Sequence, residues 1–243
     1  IAASEDLGGG INNLSSLQTV VATGVTAYGS ALGALSTYAN SNTGTAPAES
    51  VYTTAGVTGL QGNAALLAAV NTALASTAIT GTLVDTTAEV QTIVDAYAAI
   101  LAEANGSTAD ATGADPSAAT YQAVGVNLGA FASNPATATN GLSLLNDLVA
   151  ERSAADVDSV SDLNTLADAV NRLLAVAAGG TASPAFTAAE LNSLLGISTV
   201  TAENLTSVLA AIAASTDNGS GINSLGSLQT VVATGVTAYG SAL

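Results

Sequence analysis

The chain has 243 residues, 49% apolar and only 8% charged, and its 18 carboxylates against two arginines, Arg152 and Arg172, leave a net charge of −16. It contains no Cys, Met, His, Trp or Lys, which removes thiol, imidazole and amine catalysts together with the usual ligands of zinc, copper, haem and iron–sulfur groups. The negative charge repels nucleic acid and anionic membranes, and its thin spread leaves a surface of Ala, Ser, Thr and Gly that favours self-packing.

In chain order, the first strong element is a helix over Leu14–Tyr38 that carries no charge at all. At 100° per residue Leu14, Val21, Val25, Tyr28, Leu32 and Leu35 fall in one narrow arc, which reads as a core stripe. The opposite face holds Thr19, Thr23, Ala27, Ser30 and Ala34 beside Ser16, all small and neutral, where a solvated helix ordinarily carries Lys, Glu or Asp. Either this second face packs on another helix or chain, or it has drifted within a charge-poor composition. Its central stretch matches a membrane span in length, but Thr, Ser and Gly take up nearly half of it and its apolar residues keep to one stripe, so no membrane insertion is expected.

After a polar loop at 38–48 come a short helix ending in VYTTAGV (51–57), a second with Leu66, Leu67, Val70 and Leu74, and a third with Val90, Ile93, Val94, Tyr97 and Leu101. ASTAITGTLV between the last two has strand propensity but is short and lacks alternation. Beyond the loop at 104–117 the same order returns. Asp115–Pro116 start a helix ending in TYQAVGV (120–126), Leu144, Leu145, Leu148 and Val149 mark the second, and Leu163, Leu166, Val170, Leu173 and Leu174 the third. A third round follows the loop at 177–185. Phe186, Thr187, Glu190 and Leu191 have the spacing of a staple and capping box ahead of LNSLLGI (191–197), and Leu205, Val208, Leu209 and Ile212 continue it. In each round a Gly (Gly56, Gly125, Gly196) is placed to end the first helix in the left-handed conformation, with Val57, Val126 or Ile197 folding back.

Those glycines stand 69 and 71 residues apart. A longer period overlies them: residues 1–32 return as residues 212–243 with 27 of 32 positions identical, at an offset of 211. The reading is therefore all-α, in tandem three-helix units of about 70 residues, three to each 211-residue repeat. Residues 1–45 are the end of a preceding third unit, 46–113 unit one, 114–184 unit two and 185–243 a truncated unit three. Units this small and this poor in aromatics bury too little to stand alone, so they are expected to stack as a rod or solenoid, in a window from a longer array.

Few residues suggest chemistry. Asp217, Asn218, Gly219 and Ser220, the pair Asp110 and Asp115, and the cluster Glu151, Asp156, Asp158 and Asp162 resemble hard-cation ligands, so calcium is the one metal the composition leaves open. None follows the spacing of a calcium loop, and turns and helix caps explain the same residues. With no base, no thiol and almost no aromatics to stack on sugar, the chain is not expected to be an enzyme or to take a cofactor or small-molecule substrate.

The strings FTAAELNSLLGISTVTAENLTSVLAAIAAS and DNGSGINSLGSLQTVV resemble the α-helical tandem repeats of very large secreted bacterial surface proteins, the adhesin and repeats-in-toxin-like kind. The resemblance implies an extracellular or cell-surface place, in a biofilm matrix or surface layer. Glycine-rich calcium nonapeptides are missing, and charged helix positions of the family are neutral in the third unit, which turns the reading from calcium-driven folding towards self-assembly. The expected function is structural: a self-assembling repeat protein forming a surface filament or layer, with Thr19, Thr23, Ala27, Ser30 and Ala34 as the assembly face. The alternative is a spacer stalk in a large adhesin.

Overall fold

A computed structural model describes residues 11–107 and 115–242. Among them the chain is all-α, with eleven helices and no strand. It divides into two compact units, Ile1–Tyr97 and Ala98–Leu243.

The first unit holds α1 (Leu14–Ser41), α2 (Glu49–Thr54), α3 (Ala64–Leu74) and most of α4 (Thr87–Glu103). Helix α1 begins where Asn13 accepts the Ser16 N–H at 2.9 Å while Ser16 Oγ accepts the Asn13 N–H at 3.2 Å, a reciprocal cap. It runs three residues past Tyr38 and stops at Asn42, whose φ of +51° is tolerable to Asn because its short amide bonds locally. Only the second half of α1 is packed: Ala31, Leu32, Leu35 and Ala39 are buried. A turn of 3₁₀ helix at Gly81–Leu83, the segment of ambiguous strand propensity, locks that half in place. Ser36 Oγ donates to the Gly81 carbonyl at 3.1 Å, and the Gly81 N–H donates to Asn40 Oδ1 at 2.7 Å.

The second unit holds α5 (Ala118–Ala123), α6 (Gly129–Ser133), α7 (Ala138–Ala150), α8 (Val160–Ala177), α9 (Ala188–Leu195), α10 (Leu205–Ala213) and α11 (Leu225–Ser241). Helix α10 packs on α11 and α8, and α7 on α6 and α8. The boundary expected at 184/185 lies inside this unit, and the boundary between the two units lies within α4. Helix α6 was not legible in the sequence, because five residues are too few to show a helical period; it forms around Phe131, which is buried. The expected start at Asp115–Pro116 shifts to Ser117, whose Oγ accepts the Thr120 N–H at 3.1 Å.

The internal periodicity has a physical counterpart. Gly56, Gly125 and Gly196 all adopt positive φ (+78°, +91° and +64°), and Val57, Val126 and Ile197 each donate back to a carbonyl five residues earlier, on Tyr52, Tyr121 and Asn192. The first two rounds also share a buried polar device. The Tyr52 hydroxyl donates to Asn71 Oδ1 at 2.6 Å and Asn71 Nδ2 donates to the Pro47 carbonyl at 3.1 Å. Tyr121, Asn146 and Pro116 repeat this at 2.8 and 3.2 Å. Burial pushes both phenols well above the ordinary tyrosine range, so they stay neutral donors. In the third round Arg172 Nη1 donates to the Pro184 carbonyl instead, at 3.3 Å.

Candidate assembly face

Helices α1 and α11 are nearly one sequence. Of the 17 residues in α11, 16 recur in Leu14–Ser30, the exception being Gly226 in place of Ser15. Amphipathic pattern is therefore the same in both, intrinsic propensity differs only at Ser15 and Gly226, and each N-terminus carries a capping box, from Asn13 in one and Ser224 in the other, so a difference in burial between them comes from their surroundings.

In α11 the apolar stripe is covered. Leu225 is 5% exposed, and Leu228 and Val232 are fully buried. Helix α10 sits so close that a Cβ added to Gly235 would lie 2.6 Å from Val208 Cα and 2.8 Å from the Ser207 carbonyl oxygen. A single methyl group would meet backbone there. Polar bonds fix the register: the Leu225 N–H donates to Asp147 Oδ2 at 2.8 Å and Gln229 Nε2 to the Leu195 carbonyl at 2.8 Å.

Among the described residues nothing covers the first half of the same stripe in α1. Leu14 is 70% exposed, Val21 46% and Val25 65%, and with Leu17 and Gln18 they line an open apolar groove. A Cβ added to Gly24, the counterpart of Gly235, would meet nothing within 4 Å. The reading of Leu14, Val21, Val25 and Tyr28 as core is thus corrected: of the six stripe residues, Leu32 and Leu35 are buried, while the other four are exposed. Periodicity tells which face is apolar and says nothing about what covers it. The signal that finds the difference is the recurrence of the helix at 225–241.

The small-residue face comprising Thr19, Thr23, Ala27, Ser30 and Ala34 is exposed along its whole length. Thr19 and Thr23 donate their hydroxyls to the carbonyls of Ser15 and Thr19, both at 2.9 Å, so these hydroxyls are satisfied within the helix. The matching residues of α11, Thr230, Thr234, Ala238 and Ser241, are exposed too.

In the cluster of Glu151, Asp156, Asp158 and Asp162, two carboxylates serve helix starts. Asp156 accepts the Ser153 N–H at 3.1 Å and its hydroxyl at 2.6 Å, which holds its carboxyl below the usual range. Asp162 is bonded to its own cap residue, Ser159. Asp110 lies outside the described residues, and among those described no group of three acidic side chains is placed to hold a metal. Both arginines serve α9. Arg152 Nη2 donates to the Ser193 and Leu194 carbonyls at its C-terminal end, at 3.1 and 3.2 Å, favourably to the helix dipole. Arg172 is buried, lies 4.2 Å from the centre of the Phe186 ring, and pairs with Asp168 at 3.0 Å and with Glu190. Glu190 therefore does not close a capping box. Thr187 still accepts its N–H at 3.1 Å, but the carboxylate turns to Arg172, whose hydrogen bond lowers its pKa.

Among the described residues no helix is long and apolar enough to cross a membrane. No family model, curated protein or solved structure matches the chain.

Proposed function

We propose that the protein is a structural, self-assembling repeat protein of a bacterial surface filament or layer, outside the cell, and not an enzyme. In this reading three-helix units of about 70 residues stack into a rod, three to each 211-residue period, and rods associate through the neutral face of Thr19, Thr23, Ala27, Ser30 and Ala34. The resemblance to tandem repeats of secreted bacterial surface proteins belongs to the same proposal. One observation supports it above the rest: the same helix occurs covered in α11 and bare in α1. An exposed apolar stripe of this kind is unfavourable in water unless something covers it, since each Leu or Val returned to water forgoes roughly 1.5–3 kcal/mol.

Electron microscopy of a protein carrying three consecutive 211-residue periods tests the proposal. Straight rods that associate laterally into filaments or lattices are expected, and Thr23→Lys should disperse them into single rods. Isolated rods in the unsubstituted protein assign it instead to an adhesin stalk. Separate globules on flexible tethers overturn both readings.

A further inference from the structure

We infer that the bare stripe of α1 is a docking face for the α10 edge of another copy of this sequence, so that consecutive repeats share one helix, which is α11 of one repeat and α1 of the next. The inference rests on the structural reading above and names the partner that covers this face.

The chain itself shows the occupied form. Leu225, Leu228, Val232 and Gly235 are buried in the second unit, where α11 packs mainly on α10, and their counterparts Leu14, Leu17, Val21 and Gly24 are exposed in α1. The remainder of α1 is already engaged, since Ala31, Leu32, Leu35 and Ala39 are buried in the first unit. At 100° per residue both sets fall on one arc, in succession along the helix, and no residue belongs to both. One helix of 28 residues, about 42 Å long at 1.5 Å per residue, can therefore be covered by α10 of one copy over its first half and by the first unit of the next copy over its second. The repeats then join through a continuous core instead of a linker, and neighbouring copies stand in a fixed register.

The closest point is Gly24. Seated as Gly235 is, it would bring α10 backbone to where a side chain would otherwise stand. In an isolated copy the α10 seat is filled by that copy's own α11, so exchanging one helix for the other between separate chains gains no buried area. Emptying the seat removes that balance and lets α1 of another molecule in, as in domain swapping.

Sedimentation velocity on the full chain and its variants, at matched concentrations, tests the docking. Gly235→Leu, which drives α11 from α10, should associate into an open head-to-tail series beyond the wild-type distribution. Leu228→Asp, which unseats α11 with a buried carboxylate, should do the same. Adding Gly24→Leu to either should abolish the gain, while Gly33→Leu, on neither the stripe nor the small-residue face, should leave it. Gly24→Leu alone should fold with undiminished thermal stability, because the site is open and an interior helix glycine is lost. Association that survives Gly24→Leu, or no association in either unseated variant, overturns the inference. Loss of rods and lattices in micrographs with the Gly24 dependence intact would instead overturn the functional reading alone.

Discussion

Leu228→Ala and Leu17→Ala make the same change in the same helical sequence, so their difference isolates the effect of cover. Leu228 is fully buried and Leu17 is 36% exposed. Truncating a buried Leu removes its transfer free energy and leaves a cavity, a loss of roughly 2–5 kcal/mol. Leu17 has neither a covering helix nor a cavity to leave, which puts its loss within about 0.5 kcal/mol. For a unit the size of the second each kcal/mol lowers Tm by about 2–4 °C, so Leu228→Ala should lower the melting temperature of that unit by roughly 4–20 °C. Leu17→Ala lies in the smaller first unit, where each kcal/mol is worth about 4–8 °C, and should leave both units within about 4 °C of wild type. Differential scanning calorimetry measures both, with the two units fitted separately because they need not melt together. Equal losses in the two variants, or a larger loss from Leu17→Ala, would refute the argument that surroundings alone distinguish the two helices.

Three further expectations follow from the interior. Tyr52→Phe and Tyr121→Phe each strand a buried Asn Oδ1 and should cost about 1–3 kcal/mol in urea unfolding. Because burial raises both phenol pKa values in the fold, the stability they support is complete below the unfolded tyrosine pKa of about 10 and declines as pH rises above it. Phenolate absorbance of the two should therefore appear only with alkaline unfolding, and a difference in absorbance without loss of helix would contradict this. Gly56→Ala forces a side chain into φ of +78° and should destabilise by about 1–2 kcal/mol, whereas Gly24→Ala should stabilise α1 by up to about 1 kcal/mol. Arg172→Met removes the partner of Glu190 and the cation over Phe186; with Glu190 partly exposed to solvent, about 1–2 kcal/mol is expected by chemical denaturation. The Glu190 pKa is lowered in the fold, so its stabilisation is full above about pH 4.3, is lost as pH falls below that, and should vanish from the acid limb in Glu190→Gln.

The sequence disclosed most of the helices, because Leu and Val at turn spacing in α3, α4, α7, α8 and α10 match faces that are buried. The glycine turns were equally legible, since only Gly sits at low cost where Gly56, Gly125 and Gly196 sit. What was hidden depends on tertiary partners. Phe131 is the buried anchor of a helix too short to show a period, and Glu190 had a choice between its own helix cap and Arg172. On α1 the pattern from Leu14 to Leu35 looked uniform, yet one half is packed and the other bare. Periodicity is a property of one helix, and cover is a property of two.

Hydrogen exchange on α1 and α11 measures that property most directly, because sequence-matched amides have the same intrinsic rates and peptides spanning Ser15 or Gly226 tell the two helices apart. In the wild-type chain amides over Leu14–Gly24 should exchange much faster than those over Leu225–Gly235. Adding an excess of the Gly24→Leu/Gly235→Leu chain, which offers an open α10 seat and a blocked α1, should slow Leu14–Gly24 towards the α11 rate. Equal rates at the outset, or no slowing on addition, would contradict the account.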